Sequence, residues 1–233
     1  MEQLDDLYVK NLMIIGHDCM TKKVDLTLPA EELIREYDTR LVAAAVGGER
    51  DGNTTRPLAM LKWLHSTDFY TAPASSRYHE SFQHGLLIHS LRVFNATVGM
   101  LWTVPSFSGK VVPSEAVLCA LVHDWCKIGY YESYEKNVKN EATGQWEKQT
   151  AYRTNQRNIA LGHGVTSMFL VSRFLVLSPD CALAIRWHMG EYNVADNEVN
   201  ELQKANQEVP LVYLLQFADR LACTDYFNSD YLV

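Results

Sequence analysis

The chain has 233 residues, of which 47% are hydrophobic and 21% are charged, so it can bury a substantial core within one domain. Its net charge of −7 at pH 7 disfavours a general nucleic-acid-binding surface, and long nucleic acid is not an expected partner. The longest apolar runs, such as Ala116–Val122, are far shorter than the roughly 20 residues that cross a bilayer, which argues against a membrane role.

Residues 1–74 are predicted to form a helical extension ahead of a domain over residues 75–233. The first predicted helix runs from Pro29 to the glycine pair ending at Gly48, because Pro suits a helix start and Gly suits a helix end. Its apolar residues recur on one face at helical spacing: Leu33, Ile34, Tyr37 and Leu41. A second helix is predicted over residues 57–65.

The predicted domain contains further helices and one hairpin. A helix is predicted over residues 84–102, and another starts near Ser114 and carries an apolar run to His123-Asp124. Residues 130–153 are aromatic-rich around a polar turn, which predicts a small β-hairpin. The remaining predictions are helices over 163–177, 179–189 and 210–219, and a mobile loop with a short helix over 191–208. The predicted fold class is all-α, with a hairpin insertion after the His-Asp pair.

The pair His123-Asp124 is the most informative feature, because an imidazole and a carboxylate at a helix end can bind one divalent cation. A second pair, His17-Asp18, has no other histidine nearby and is interpreted as a turn or surface feature. Further candidate ligands follow at wide intervals, and each alone is more typical of a hydrogen-bonded core residue or an ion pair. Their joint order indicates a metal centre assembled from several helices: His89, His123, Asp124, His163, His188 and Asp219.

Lys127 lies three residues after Asp124, which places both side chains on one face of a continuing helix. A cation beside a ligand carboxylate can bind a phosphate that also contacts the metal. The alternative is a solvated lysine in an ion pair with Asp124, and we favour the phosphate-binding role.

Three stretches of the sequence resemble the HD-domain superfamily of metal-dependent phosphohydrolases. They are Gly85-Leu-Leu-Ile-His-Ser-Leu91, Ala120-Leu-Val-His-Asp-Trp-Cys-Lys-Ile-Gly129 and Phe217-Ala-Asp-Arg-Leu221. The resemblance covers about residues 75–226 and implies an all-α fold with a five-helix core. It also implies that the first metal is held by His89, His123, Asp124 and Asp219. His163 and His188 match the additional ligands of the two-metal members, in which Asp124 bridges.

The sequence departs from the family pattern at Trp125 and Cys126, where family members often carry Ile or Ser and then Gly. The ligand spacing is unchanged, but the larger side chains are expected to alter the packing near the site.

Imidazole and carboxylate ligands suit Mn, Fe, Co, Ni or Zn, and the spacing leaves open which ion binds and whether one or two bind. The resemblance implies that a metal-activated water cleaves a phosphate ester. The predicted catalytic residues are Asp124, Lys127 and His84. The predicted phosphate-binding residues are Arg77, His79 and Lys127. For the residues upstream of His89, surface hydrogen bonding is an equally favoured interpretation.

The sequence therefore predicts a phosphohydrolase that acts on a small phosphorylated substrate, which we expect to be a nucleotide or a short oligonucleotide. The hairpin aromatics either stack on a base or pack against the domain. Two alternatives stay open: an HD-fold di-iron oxygenase, and a non-catalytic HD module that binds a ligand. The second is disfavoured because every expected ligand position carries a competent residue.

Five cysteines, odd in number and without a Cys-x-x-Cys motif, predict reduced thiols in a cytoplasmic protein. The oligomeric state stays open, as does the role of residues 1–74, which could pack against the core, form a dimer contact or cap the site.

Overall fold

The computed structural model describes residues 18–48, 55–155 and 161–224, and within them the chain forms eight α-helices and one two-stranded antiparallel sheet. The helices are α1 Ala30–Gly48, α2 Thr55–His65, α3 Gly85–Thr103, α4 Pro113–Val122, α5 His163–Ser172, α6 Pro179–Trp187, α7 Val199–Glu208 and α8 Pro210–Ala222. The strands are β1 Tyr131–Lys139 and β2 Trp146–Thr154. The short 3-10 helices are Asp18–Met20, Trp125–Lys127, Gly190–Asn193 and Asp196–Glu198. The predicted all-α fold with a hairpin insertion is confirmed.

Helix α4 lies at the centre of the core, and every residue from Ala116 to Val122 is buried. It packs against α1, α3 and α8, while α3 packs along α8. The hydroxyl of Tyr37 in α1 donates to the carbonyl oxygen of Leu121 at 2.8 Å, and Trp125 Nε1 donates to that hydroxyl at 3.0 Å. Trp125 is therefore a buried core residue that fixes the chain directly after Asp124. The predicted boundary between residues 1–74 and 75–233 stays a prediction, although α1 and α2 share this core.

The predicted helix over 163–177 ends at Ser172, five residues early. The next helix starts at Pro179, and its N-cap Ser178 has an extended backbone. The side-chain hydroxyl of Ser178 accepts a hydrogen bond from Cys181 N at 3.2 Å. A proline disfavours helical geometry in the residue before it, so helix α5 cannot continue through Ser178. The predicted start of α6 is confirmed.

The short helix predicted within residues 191–208 is α7, a ten-residue helix in the second half of that segment. Leu202 and Ala205 are buried on the face of α7 that packs against α8. These two residues anchor an otherwise polar helix to the core.

The hairpin is paired in register from Tyr131 opposite Thr154 to Lys139 opposite Trp146. Its base joins the core where Tyr130 N donates to the carbonyl oxygen of Lys127 at 3.1 Å. Strand β1 is exposed from Glu132 to its end, and Trp146 is 70% exposed. The aromatic residues near the tip therefore do not pack against the domain. None of the described helices is long and apolar enough to cross a membrane.

Candidate metal centre

Six side chains from five parts of the fold converge on one buried site. His89 lies in the second turn of α3, His163 is the first residue of α5, and Asp219 lies in the last turn of α8. The other three directly follow helices α4 and α6: His123, Asp124 and His188. Of these six predicted ligands, His89, His123, Asp124 and His188 are at most 2% exposed. His17 lies outside the described residues.

One group of donor atoms surrounds His89. Its Nε2 lies 3.1 Å from Asp219 Oδ1 and 3.3 Å from His123 Nε2. His123 Nε2 is 3.7 Å from the same oxygen of Asp219. Two imidazole nitrogens and a carboxylate oxygen within this distance of one another can share one ion, because metal–ligand bonds are about 2.0–2.2 Å long.

Asp124 faces two groups of donors with its two oxygens. Oδ2 lies 3.4 Å from His89 Nε2 and 3.5 Å from His123 Nε2. Oδ1 lies 2.7 Å from His163 Nε2 and 3.6 Å from His188 Nε2. This is the arrangement expected of a carboxylate that bridges two ions.

Backbone carbonyl groups orient two of the imidazoles. His123 Nδ1 donates to Ala120 O at 2.9 Å, and His188 Nδ1 donates to Ile185 O at 2.7 Å. Each ring therefore turns the lone pair of Nε2 towards the cluster, as is usual for metal ligands. His188 Nε2 is buried and has no hydrogen-bond partner among the described residues. A buried nitrogen left unsatisfied is costly, so the donor set fits a metal ion at this position.

A glycine allows α5 and α6 to approach closely enough to bring His163 beside His188. A Cβ atom at Gly164 would lie 2.2 Å from Arg186 O and 2.5 Å from Ile185 O. No larger residue fits there without moving α6 and the carbonyl that orients His188.

A family model described as HD domain matches residues 86–223, which is more than half of the chain. The chain belongs to the HD domain family. HD domains are typical of metal-dependent hydrolases and bind divalent metal ions. No curated protein and no solved structure matches the chain.

A carboxylate that the sequence pattern did not predict also lies at the site, on a residue that precedes the matched range 86–223. Glu80 is buried, forms an ion pair with Arg92 and places Oε2 3.5 Å from Nδ1 of His89. Its backbone has a positive φ of 43°, and a Cβ at Gly85 would lie 2.0 Å from Glu80 O. Glu80 thus reaches the far side of His89 through a strained turn that requires glycine at 85. Nothing in its spacing pointed to this role.

The charges of the cluster shift the pKa values of its members. Burial lowers the pKa of His89, but the contact with Asp219 and the nearby carboxylate of Glu80 outweigh burial and raise it to about 9. Burial raises the pKa of Asp124, but Lys127 and His123 hold it well below its usual value. Asp124 therefore stays ionised at neutral pH, whereas His89 holds a proton in the metal-free cluster.

Lys127 contacts Asp124, although not on a continuing helix. Helix α4 ends at Val122, and Lys127 belongs to a 3-10 turn whose N–H bonds to Asp124 O at 2.9 Å. This i, i+3 spacing still brings Lys127 Nζ to 2.6 Å from Asp124 Oδ2. The ammonium group is thus part of the buried cluster, with 11% of its side chain exposed.

The other predicted site residues differ in how closely they approach the cluster. The His79 ring packs 4.9 Å from that of His89, and burial lowers the pKa of His79 to about 4. His84 Nδ1 donates to Tyr70 O at 2.6 Å, away from the six ligands. Arg77 is exposed, and no hydrogen bond or ion pair joins it to another described residue.

A cavity of about 660 Å³ opens beside the cluster, and His79, His188 and Asp219 line it. Its outer wall carries four exposed aromatic residues: Tyr78, Tyr192, Tyr213 and Phe217. The rings of Tyr213 and Phe217 are stacked, with centroids 5.7 Å apart. The sequence pattern does not predict this aromatic wall. Phe217 stands out only as part of a stretch that resembles the HD-domain superfamily, and the four residues come together only in the tertiary structure.

Proposed function

We propose that this HD domain is a metal-dependent phosphohydrolase that cleaves a phosphate ester of a nucleotide or a short oligonucleotide. The observation that carries the proposal is the convergence of four imidazoles and two carboxylates at the end of an aromatic-walled cavity. Such donors suit Mn, Fe, Co, Ni or Zn. The proposed ligands are His89, His123, Asp124, His163, His188 and Asp219.

One or two bound ions would supply an activated water and neutralise the charge that develops on the phosphoryl group. The chain itself positions the ester. Lys127 has three donor hydrogens, of which the contact with Asp124 uses one, so the others can bind phosphate oxygens. His79 is neutral at pH 7 and lines the cavity beside the cluster, where it can donate one hydrogen bond.

The roles of His84 and Arg77 stay predictions. His84 would have to release Tyr70 O, or use Nε2, to protonate a leaving oxygen. Arg77 is exposed in the loop before α3, so its guanidinium group is accessible to a phosphate.

The nucleotide part of the proposal is supported by the four aromatic side chains of the cavity wall. A base that stacks on an aromatic ring gains about 1–3 kcal/mol. The cavity volume also lies within the range of about 300–1,000 Å³ that is usual for small-molecule sites.

The test is metal analysis of the purified protein, followed by a phosphate-release screen over nucleotides and short oligonucleotides without oxygen. We expect divalent metal and anaerobic phosphate release. Bound iron with oxygen consumption and no phosphate release would instead indicate the di-iron oxygenase. Protein that neither contains nor takes up metal would indicate a non-catalytic module.

Phe217→Ala is expected to raise KM about 5- to 100-fold with a smaller change in kcat, because it removes one stacking surface of the cavity wall. Trp146→Ala removes an exposed aromatic residue from the hairpin and is expected to leave KM unchanged. Steady-state kinetics on the best nucleotide substrate measure both. A rise in KM for Trp146→Ala, with no rise for Phe217→Ala, would show that the base stacks on the hairpin and not on the cavity wall.

Affinity for the ion held by His89 is expected to rise about tenfold per pH unit up to about pH 9 and to level off above it. The pKa of His89 is raised to about 9, so below that pH the incoming ion must displace its proton, and above it no proton remains. Competition with a chelator of known affinity, at constant ionic strength, measures this slope. A flat profile between pH 6 and pH 9 would exclude His89 as a ligand.

A further inference from the structure

Cys126 lies against the part of the cluster formed by His163 and Asp124. Its Sγ is 3.3 Å from each ring nitrogen of His163 and 4.0 Å from Asp124 Oδ1. The side chain is half-buried in the 3-10 turn between Asp124 and Lys127. Three different donor types therefore meet within one small volume.

These distances suit donors that share one ion. Zn–S bonds are about 2.3 Å and Zn–N bonds about 2.0–2.1 Å long, so sulfur and nitrogen on one ion lie at most about 4.4 Å apart. Both separations from Sγ are below that limit, and His163 Nε2 lies 2.7 Å from Asp124 Oδ1.

The position of Cys126 is fixed by its backbone. Its N–H donates to Ser167 Oγ at 2.9 Å, and Ser167 is fully buried one turn after His163 on the same helix. Trp125, which is fully buried, holds the other side of the turn. The sulfur is therefore directed at His163 by contacts that do not involve the sulfur itself.

A second observation points to an ion at this side of Asp124. His188 Nε2 is buried, has no hydrogen-bond partner among the described residues and faces Asp124 Oδ1 at 3.6 Å. The other cysteine near the cluster, Cys223, is more exposed than Cys126. Cys223 is exposed, and its Sγ lies 3.6 Å from His79 Nε2 and 3.9 Å from Asp219 Oδ1.

We propose that Cys126 is a thiolate ligand of the second metal ion, which it shares with Asp124 and His163. The inference rests on the metal centre of the proposed function and adds a soft ligand to it. A sulfur–metal bond forms as the S–H proton leaves to solvent, and no group is oxidised or reduced. Thiolate ligands favour Zn²⁺, Co²⁺ and Fe²⁺ over Mn²⁺ and Mg²⁺, so the second site is selective for the softer ions.

The test is the absorption spectrum of the full chain titrated with Co²⁺. We expect a thiolate-to-cobalt charge-transfer band in the near ultraviolet that grows with the second equivalent bound. Cys126→Ser should abolish this band and weaken the second equivalent about tenfold or more, while the first equivalent still binds. The substitution retains the backbone bond to Ser167, so the fold should be unchanged by circular dichroism.

Cys223→Ser is the matched control and should keep the band. A band that survives in Cys126→Ser, or that is lost only in Cys223→Ser, would overturn the assignment. Two equivalents bound with no charge-transfer band would also overturn it, but would leave the proposed metal centre intact. Failure to bind any Co²⁺ would overturn both the inference and the proposed function.

Discussion

Asp124→Ala is expected to lower the rate of phosphate release by about 10³-fold and to reduce the metal content of the purified protein. Asp124 places one oxygen towards each group of donors, with Oδ2 3.4 Å from His89 Nε2 and Oδ1 2.7 Å from His163 Nε2. Its loss removes a negative charge from both positions, and removal of one charge-stabilising group costs about 10²–10³ in rate. Elemental analysis and single-turnover phosphate release measure the two effects.

The same substitution is expected to destabilise the metal-free protein by about 3–5 kcal/mol, because Lys127 stays buried without the carboxylate at 2.6 Å. Asp124→Ala with Lys127→Met removes both charges and should recover most of that loss in a urea titration. It should not recover metal binding. If the stabilised double variant bound metal as well as the parent, Asp124 would be a structural residue and not a ligand.

Glu80→Gln is expected to weaken metal binding about 10- to 100-fold above pH 9, where proton competition is absent. The carboxylate of Glu80 lies 3.5 Å from His89 Nδ1, on the side away from the cluster. A carboxylate beside the ring nitrogen that does not bind the metal raises the basicity of a histidine ligand. Its loss typically lowers metal affinity about 10- to 100-fold. The measurement is chelator competition at several pH values.

The pH profile of Glu80→Gln separates a positioning role from a structural one. Glu80 is one of the groups that raise the pKa of His89 to about 9, so the variant should reach its affinity plateau at a lower pH than the parent. Glu135→Gln, which changes an exposed carboxylate of the hairpin, should leave both plateau and affinity unchanged. A uniform loss of affinity with the plateau still near pH 9 would contradict the role of Glu80.

The helices and the order of the ligands could be predicted from the sequence because both depend on local pattern. Apolar residues at helical spacing, with Pro29 and Pro179 at helix starts, located α1 and α6 to within two residues at most boundaries. The predicted helix over 163–177 is too long, since the apolar pattern continues through Leu175 although the helix itself ends at Ser172. Local periodicity cannot show where a following element forces the chain out of a helix.

The approach of residues that are distant in the chain could not be predicted. Glu80 reaches His89 only because Gly85 lacks a Cβ, which would lie 2.0 Å from the carbonyl oxygen of Glu80. No spacing rule connects a loop carboxylate to a helical histidine. The aromatic wall likewise combines Tyr78, Tyr192 and two residues of α8. These groups meet because of how the helices pack, which depends on the whole core.

Residue type and order along the chain were enough to predict the family, the helical fold and the six donor residues. Packing then sets how those donors divide between the two oxygens of Asp124, and which additional groups contact them. Cys126 illustrates the difference. In the sequence it is a departure from a motif, whereas in the fold its bond to Ser167 places the sulfur 3.3 Å from His163. Donor identity is a local property, but coordination depends on distances that only the packed core fixes.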